Sequence, residues 1–276
     1  MDSSNDFETL MDTLKNGVDN NWSAILLVLI DPTSISFLDD DYEFELALGL
    51  IPFEQRVCIL NKKNNADKYK ALSNKLLQLF GCGMLLDWKG SADASFTTNK
   101  FGKPSVENVS FNMSNGRNLV GMYVVNAGNV DVGIDIASFS DYNTELLNTT
   151  DVFAFEEIAL FDGVAGNDLR RQLFAHLWSL KEAYIKFLGT GLSYYNALST
   201  LNFAEELKNI YYIKDIDKNE FEKVIGGKSL TFTSYNALNN EVVSVCSENE
   251  RSVDNKRPSP VVYSINIRCV IDYLDK

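Results

Sequence analysis

Two short runs of the chain combine residue types that could handle phosphate groups. Gly133–Ile136 is an apolar run that carries a single carboxylate, Asp135, while Trp178–Lys186 carries both a carboxylate, Glu182, and an ammonium group, Lys186. Carboxylates are ligands that Mg²⁺ accepts, and the ion can bridge them to phosphate oxygens. The two runs together could therefore hold a divalent cation and a pyrophosphate.

The second run lies in a predicted helix. From Asp168 to Leu188 the chain contains no proline and no glycine, and its apolar residues recur at close to helical spacing. Asp168 is a plausible N-cap, and Gly189 is a plausible stop. The sequence therefore predicts one long helix that would carry the charged residues in its second half.

The helical spacing places Trp178, Glu182 and Lys186 on one face, with Lys181 beside them. One interpretation is a surface ion pair between Glu182 and Lys186, worth only about 0.2–0.5 kcal/mol. The other is a functional pair against a partly desolvated wall, which the neighbouring tryptophan favours.

The carboxylate of the first run is predicted to stand at the end of a strand. Met122–Val125 and Val130–Ile136 are β-rich runs separated by the turn signal Asn126–Asn129, which predicts a hairpin. Because side chains alternate along a strand, Asp135 points away from the face of its two isoleucine neighbours. Such an aspartate is either a turn former or a ligand, and the residues alone favour neither.

Four ordered motifs then carry a family resemblance. They resemble motifs of the 4′-phosphopantetheinyl transferases, in the large, pseudo-dimeric class that activates surfactin synthetase and the α-aminoadipate reductase of fungal lysine synthesis. The motifs are FGKP at Phe101–Pro104, FNMSN at Phe111–Asn115, VGIDI at Val132–Ile136 and WSLKEAYIK at Trp178–Lys186. Weaker similarity at Ile51–Glu54 and Phe187–Leu192 extends the resemblance to about residues 20–205.

The resemblance implies a fold and an activity. The fold would be α+β, with two similar halves, 1–127 and 128–276, related by a pseudo-two-fold and each built from an antiparallel sheet packed with a long helix. The enzyme would be a holo-[acyl-carrier-protein] synthase type transferase that depends on Mg²⁺. It would move 4′-phosphopantetheine from coenzyme A, bound between the halves, to a serine of an apo carrier domain.

The resemblance also implies roles for particular residues. Lys103 and Pro104 would meet the adenine end of the coenzyme, and Lys186 would steady a pyrophosphate oxygen. The serine proton would pass to Glu182 or to water held by Glu157. In full, the implied metal ligands are Asp135 and Glu182, the coenzyme contacts are Arg56, Lys70, Lys103, Pro104, Ser114, Asn115, Lys181 and Lys186, and the catalytic residues are Glu182, Lys186 and Glu157.

Glu157 has a second interpretation. It belongs to a run, Phe155–Glu157, that would make an ordinary acidic helix start. The family pattern Phe-x-x-x-Glu, which Phe153 and Glu157 match, favours instead the catalytic role, in which Glu157 holds a water molecule that accepts the serine proton.

The chain departs from the family pattern at two positions. Asn115 stands where many members have histidine, and Ala137 stands where many bacterial members have a second acid. Asparagine can still donate a hydrogen bond to phosphate. Losing the second acid leaves Mg²⁺ with fewer protein ligands and more water, which this ion tolerates.

The segment from Glu54 to Lys75 is basic within an acidic chain. It carries six positive residues against two acidic ones, while the whole chain has a net charge of −13. One interpretation is a solvated helix face, and the other is a cradle for the 3′-phosphate of coenzyme A. The positive residues are Arg56, Lys62, Lys63, Lys68, Lys70 and Lys75.

Composition narrows the class of protein. The negative charge argues against nucleic acid as the main partner, and the longest apolar run, Ala24–Ile30, is too short to span a membrane and reads as a buried strand. The acidic start shows no presequence, and the four scattered cysteines predict thiols rather than a zinc site. We expect a cytoplasmic monomer in which His176, the only histidine, is structural.

The carrier that the enzyme would modify is not fixed by the sequence. It could belong to α-aminoadipate reductase, as the family favours for a fungal source, or to a fatty acid, polyketide or nonribosomal peptide synthase. Two other functions remain open. A nucleotide-pyrophosphate hydrolase could use the same acids and lysines with water in place of serine, and a non-catalytic carrier-binding protein would explain the two departures.

The remaining secondary structure is predicted from local patterns. Ser247–Pro260 is polar and reads as an exposed loop. The other predicted elements are helices at Asn65–Phe80 and Phe155–Phe161 and strands near Phe111, Tyr123, Leu201, Tyr211, Leu230, Val242 and Val261–Val270.

Overall fold

The computed structural model describes residues 3–20, 22–88, 90–147, 151–191, 198–209, 218–237, 239–248 and 258–276. The chain divides into two compact units. The first unit is Met1–Val130 with Lys256–Lys276, and the second is Asp131–Asn255. The C-terminal segment therefore belongs with the first unit, whereas the sequence-based division at residues 127 and 128 left it in the second half.

Helices and strands alternate irregularly in both units, as in an α+β protein. The helices are α1 Ser3–Lys15, α2 Asp41–Gly49, α3 Phe53–Leu60, α4 Asn65–Leu86, α5 Thr144–Leu147, α6 Phe155–Gly163, α7 Asn167–Leu188, α8 Ala204–Leu207 and α9 Ile267–Leu274. The strands are β1 Ser23–Leu29, β2 Thr97–Thr98, β3 Pro104–Ser105, β4 Ser110–Asn115, β5 Leu119–Val125, β6 Val132–Ser138, β7 Lys218–Ile225, β8 Lys228–Ala237, β9 Glu241–Glu248 and β10 Val261–Ile265.

The first unit is a four-stranded sheet covered by the long helix α4. The strand order is β10-β1-β5-β4, antiparallel except for the parallel pair of β1 and β10. Asn64 caps α4, accepting from the Asp67 amide at 2.8 Å. Helix and sheet approach closely at Gly81, where an added Cβ would lie 2.3 Å from Met122 Sδ. The apolar faces of α4 and the sheet form the core of this unit.

The second unit is a four-stranded antiparallel sheet covered by α7. Its strand order is β6-β9-β8-β7. Strand β6 is buried along its whole length, which explains its run of apolar and small residues. The helix ends as predicted at Gly189, which adopts a left-handed φ of 64°. Its N-cap is Gly166 rather than Asp168, so that part of the prediction was wrong.

The predicted α+β class is confirmed, with a long helix on a sheet in each unit. The pseudo-two-fold relation stays a prediction. The predicted hairpin of Met122–Val125 with Val130–Ile136 is wrong, because β5 pairs with β1 and β4 while β6 pairs with β9. Asn126 instead ties this connection back to the first unit, donating its amide N–H to the Trp22 carbonyl at 2.9 Å.

Several element boundaries also differ from the predictions. Helix α4 continues to Leu86, because the two glycines after Phe80 do not break it. Residues 261–270 hold a strand followed by the start of α9, which Asn266 caps. Leu201 lies outside any strand. The strand expected near Tyr211, and most of the loop expected at residues 247–260, lie outside the described residues.

Candidate functional site

Close packing of α7 on β6 brings the two charged runs of the second unit together. A Cβ added at Gly133 would lie 1.9 Å from the Ala183 carbonyl oxygen and 2.5 Å from the Phe187 nitrogen, so only glycine fits there. Asp135 follows Gly133 by two residues on β6. Lys186 lies on α7 between Ala183 and Phe187, the two residues that Gly133 approaches. The Lys186 ammonium donates to Asp135 Oδ1 at 2.8 Å.

This ion pair is partly screened from solvent. The Asp135 side chain is 11% exposed and that of Lys186 is 28% exposed. Trp178, one turn before Glu182 on α7, stacks on Phe174 with ring centroids 6.1 Å apart and an interplanar angle of 5°. Trp178 therefore packs against an aromatic neighbour on its own helix, and its expected role as a wall beside Glu182 and Lys186 stays a prediction.

Glu182 lies within the electrostatic reach of both members of the pair. Burial and, to a smaller extent, the Asp135 charge raise the pKa of Glu182, the Lys186 charge opposes them, and the net pKa is about 7. A carboxyl group with a pKa near neutrality can take up or release a proton at working pH. Asp135, Glu182 and Lys186 thus form a three-residue cluster, called here the acid–lysine cluster.

The acid–lysine cluster offers a donor set for a shared cation. Its two carboxylates repel each other, as the raised pKa of Glu182 records, and a divalent cation would relieve that repulsion. Within the described residues no group of three His, Cys, Asp or Glu side chains converges on one point. The residues present therefore fit Mg²⁺ that completes its shell with water and substrate oxygens, and they do not supply a full shell of their own.

Glu157 and Lys181 are paired with each other inside the second unit. Their charged atoms are 2.8 Å apart, and both side chains are 0% exposed. Glu157 accepts from the amides of Ala154 and Phe203, each at 2.8 Å. Lys181 also donates to the Leu198 carbonyl at 2.9 Å. The pair therefore joins the start of α6, the middle of α7 and the segment before α8.

Burial sets the protonation behaviour of this core. Desolvation raises the pKa of Glu157 and lowers that of Lys181, while the charge of each partner opposes the other's shift. His176, five residues before Lys181 on α7 and also buried, has a pKa lowered by desolvation to about 3. The histidine is therefore neutral at physiological pH, in keeping with the structural role expected for it.

The first unit holds a cavity of about 400 Å³ between α3, α4 and the end of β4. Lys62 and Lys75 line it, as do Asn74, Asn115 and Glu54. Burial lowers the pKa of Lys75, which donates to Gln78 Oε1 at 3.2 Å. We call this the basic cavity, because its lining includes two lysines, Lys62 and Lys75, and a single acidic residue, Glu54.

Of the residues expected to contact coenzyme, Asn115 lines the basic cavity. Arg56 instead donates to two backbone carbonyls, those of Ile51 at 2.8 Å and Gly49 at 2.7 Å, and so holds the end of α2. Lys70 donates to the Gly116 carbonyl at 2.9 Å. The prediction had not singled out Asn74 for any role, although the basic composition of the surrounding segment was visible in the sequence.

Three further predicted contacts lie elsewhere in the first unit. Lys103 stands in the tight turn between β2 and β3, where its amide donates to Asn99 Oδ1 at 3.0 Å, and Pro104 begins β3. Ser114, on β4 beside Asn115, is buried and only 4% exposed. Their expected roles toward coenzyme stay predictions.

Comparison with known proteins covers both units. A family model described as the 4′-phosphopantetheinyl transferase superfamily matches residues 131–246. An L-aminoadipate-semialdehyde dehydrogenase-phosphopantetheinyl transferase of Candida glabrata is 34% identical over 226 residues, covering 80% of this chain and 83% of the relative. The protein of the same name from Saccharomyces cerevisiae is 32% identical over 268 residues, 91% of this chain and 90% of the relative.

A bacterial relative is more distant. The 4′-phosphopantetheinyl transferase gsp of Aneurinibacillus migulanus is 26% identical over 154 residues, covering 55% of this chain and 62% of the relative. In the described part of the chain, every helix is too short or too polar to cross a membrane.

Proposed function

The chain belongs to the 4′-phosphopantetheinyl transferase superfamily, and from this premise we propose the reaction that it catalyses. It transfers 4′-phosphopantetheine from coenzyme A to a serine hydroxyl of an apo carrier domain and releases adenosine 3′,5′-bisphosphate. The observation that carries this proposal is the acid–lysine cluster, in which Lys186 contacts Asp135 and Glu182 lies within the electrostatic reach of both.

The cluster provides the proton acceptor for the reaction. The serine oxygen attacks the phosphorus that bears pantetheine and forms a new P–O bond. The anhydride P–O bond breaks, and its electron pair leaves on the 5′-phosphate of adenosine 3′,5′-bisphosphate. The serine proton passes to the Glu182 carboxylate, which lies within the electrostatic reach of Asp135 and Lys186.

Lys186 and the metal would stabilise the negative charge on the pyrophosphate oxygens. The Lys186 ammonium, held in place by Asp135, is positioned to steady a pyrophosphate oxygen. Asp135 and Glu182 would hold Mg²⁺, which when bound supplies neutralisation of charge on the pyrophosphate oxygens. Glu157 and Lys181, contrary to the roles expected of them, are proposed to be structural, because they satisfy each other in the core.

The basic cavity is proposed to bind the 3′-phosphate of coenzyme A. Lys62, Lys75 and Asn115 support this proposal, because they offer two cations and one amide on the walls of a single cavity. Arg56 and Lys70 would contribute mainly by fixing the surrounding backbone.

The proposed carrier is the carrier domain of L-aminoadipate-semialdehyde dehydrogenase, the protein named in both yeast relatives. The chain would then act in lysine synthesis. A cytoplasmic location is also proposed, which the presence of four cysteine thiols rather than disulfides supports. Action as a monomer stays a prediction that light scattering would check.

One incubation separates the proposal from its rivals. Coenzyme A, Mg²⁺ and an apo carrier domain are incubated with the protein, and the carrier is measured by intact mass. Transfer adds one phosphopantetheine to the carrier. A hydrolase would consume coenzyme A and leave the carrier mass unchanged, and a carrier-binding protein would do neither; both results would contradict the proposal.

A further inference from the structure

One face of α4 holds the end of β4 through two contacts. Lys70 and Asn74 are four residues apart and so stand one above the other on the helix. Lys70 donates to the Gly116 carbonyl at 2.9 Å, and Asn74 Nδ2 donates to Asn115 Oδ1 at 2.8 Å. The backbone after the strand and the last side chain of the strand are therefore both fixed by the same helix.

The contact from Asn74 decides which end of the Asn115 carboxamide can serve a ligand. A carboxamide has one acceptor oxygen and one donor nitrogen. Because Oδ1 of Asn115 already accepts from Asn74, its Nδ2 is the end that remains for a group bound in the basic cavity. The N–H groups of Nδ2 can only donate, and so they favour an anion.

The other polar residues of the cavity have matching chemistry. Lys62 and Lys75 bring two ammonium groups, against one carboxylate from Glu54. Two cations and one oriented N–H donor suit a phosphate monoester, since phosphate oxygens accept several charge-assisted hydrogen bonds.

We propose that Asn74 is a positioning residue that orients the Asn115 carboxamide so that Nδ2 donates to the 3′-phosphate of coenzyme A. This inference rests on the proposed function, because it deepens the assignment of the basic cavity to that phosphate. It makes the Asn74–Asn115 pair one determinant, beside Lys62 and Lys75, of the preference for coenzyme A over dephospho-coenzyme A. The donor that the pair supplies is uncharged, at a position where the family often has histidine.

Substitutions of Asn74 should weaken coenzyme A binding to different extents. Alanine removes the donor, so the carboxamide of Asn115 is free to turn and presents nitrogen or oxygen to the phosphate. Aspartate is worse, because its carboxylate would accept from Asn115 Nδ2, turn Oδ1 toward the anion and add a negative charge. Coenzyme A affinity should therefore fall in the order wild type, Asn74→Ala, Asn74→Asp.

The experiment is a double-mutant cycle read by calorimetric binding of coenzyme A and dephospho-coenzyme A. We expect Asn115→Ala to weaken coenzyme A binding about tenfold, and Asn74→Ala somewhat less, because each disturbs a hydrogen bond to a charged group. Neither should change the affinity for dephospho-coenzyme A. In the Asn115→Ala background, Asn74→Ala should have almost no further effect, since the two act through one contact.

The matched control is Asn5→Ala, an exposed asparagine on α1 of the same unit, which should bind both ligands like wild type. Thermal unfolding of every variant checks that the fold is intact. Independent, additive effects at 74 and 115, or equal losses for both ligands, would overturn the positioning role.

Measurements of binding and of transfer distinguish failure of the proposed reaction from failure of the proposed role of Asn74. If coenzyme A binds and the cycle behaves as expected but no phosphopantetheine reaches a carrier, the proposed reaction fails and the positioning role stands. If transfer occurs but the cycle is additive, the positioning role alone fails. Wild-type protein that shows no preference for coenzyme A over the dephospho form would overturn the assignment of the cavity.

Discussion

Lys186 on α7 donates to Asp135 on β6 at 2.8 Å, although the two residues are 51 positions apart in the chain. The contact exists because Gly133 lets the helix backbone approach the strand. Glu182 lies one helical turn before Lys186, so two carboxylates and one ammonium share a partly buried site whose charges influence one another.

The charges around Glu182 should control its protonation. Asp135→Asn should lower the pKa of Glu182 from about 7, because it removes a negative neighbour, and Lys186→Met should raise it, because it removes a positive one. Glu182 is therefore mostly neutral below pH 7 and becomes mostly ionised above it. NMR titration of the Glu182 carboxyl carbon in metal-free protein measures all three values. Shifts of the opposite sign in either variant would contradict the described arrangement.

Gly133→Ala tests the close approach of helix and strand. The new methyl group would collide with backbone atoms of Ala183 and Phe187, which cannot move as a side chain does. We expect a loss of about 1–3 kcal/mol in the free energy of unfolding, with a large loss of transfer activity. Urea unfolding gives the first quantity and the carrier mass assay the second.

The control for that variant is Gly49→Ala in α2, where an added Cβ meets no atom within 4 Å. It should be neutral or slightly stabilising, since alanine favours the helix. If Gly133→Ala matched this control in both stability and activity, the tight packing of α7 on β6 would be disproved.

The buried pair of Glu157 and Lys181 should behave as a structural unit. Glu157→Gln or Lys181→Met alone leaves a buried partner uncompensated, and we expect each to cost about 3–5 kcal/mol of unfolding free energy. The double variant should cost less than the sum of the two. Urea unfolding of the four proteins measures this coupling. Full stability in the Glu157→Gln variant, together with lost activity, would instead support the catalytic role first expected of it.

Metal binding should depend on coenzyme. With two carboxylates in the cluster, Mg²⁺ needs phosphate oxygens to complete its shell, so it should bind poorly alone and well once coenzyme A is present. By linkage, Mg²⁺ should tighten coenzyme A binding by the same factor. Calorimetric titrations with and without coenzyme A test this, and tight binding to the coenzyme-free protein would reveal a missing ligand.

Local sequence patterns predicted the long helix, the buried strand and the charges they carry, because helical spacing and strand burial are written in neighbouring residues. They could not place Lys181. It is adjacent to Glu182 in sequence, but its side chain enters the core, where Glu157 and two backbone carbonyls compensate its charge. Glu157 is too far from Lys181 in the sequence for a pattern of neighbouring residues to reveal the pairing.

The prediction that the strands at Met122–Val125 and Val130–Ile136 pair was wrong for a related reason. The residues Asn126–Asn129 do form bends and a turn, as their composition indicated, yet nothing local records that β5 already has two neighbours in its own sheet. In the basic cavity, the composition of the segment predicted the charge. The contact between Asn74 and Asn115, 41 residues apart, depends on the packing of α4 against β4 and was not visible.

The most direct test of the central claim is the transfer of phosphopantetheine by variants of the acid–lysine cluster. Wild type, Asp135→Ala, Glu182→Ala and the control Glu145→Gln, an exposed acid on α5 of the same unit, are incubated with coenzyme A, saturating Mg²⁺ and an apo carrier, and the carrier mass is followed over time. We expect the control to match wild type and both cluster variants, folded by circular dichroism, to lose transfer. Near-normal turnover in either cluster variant would show that the chemistry occurs elsewhere.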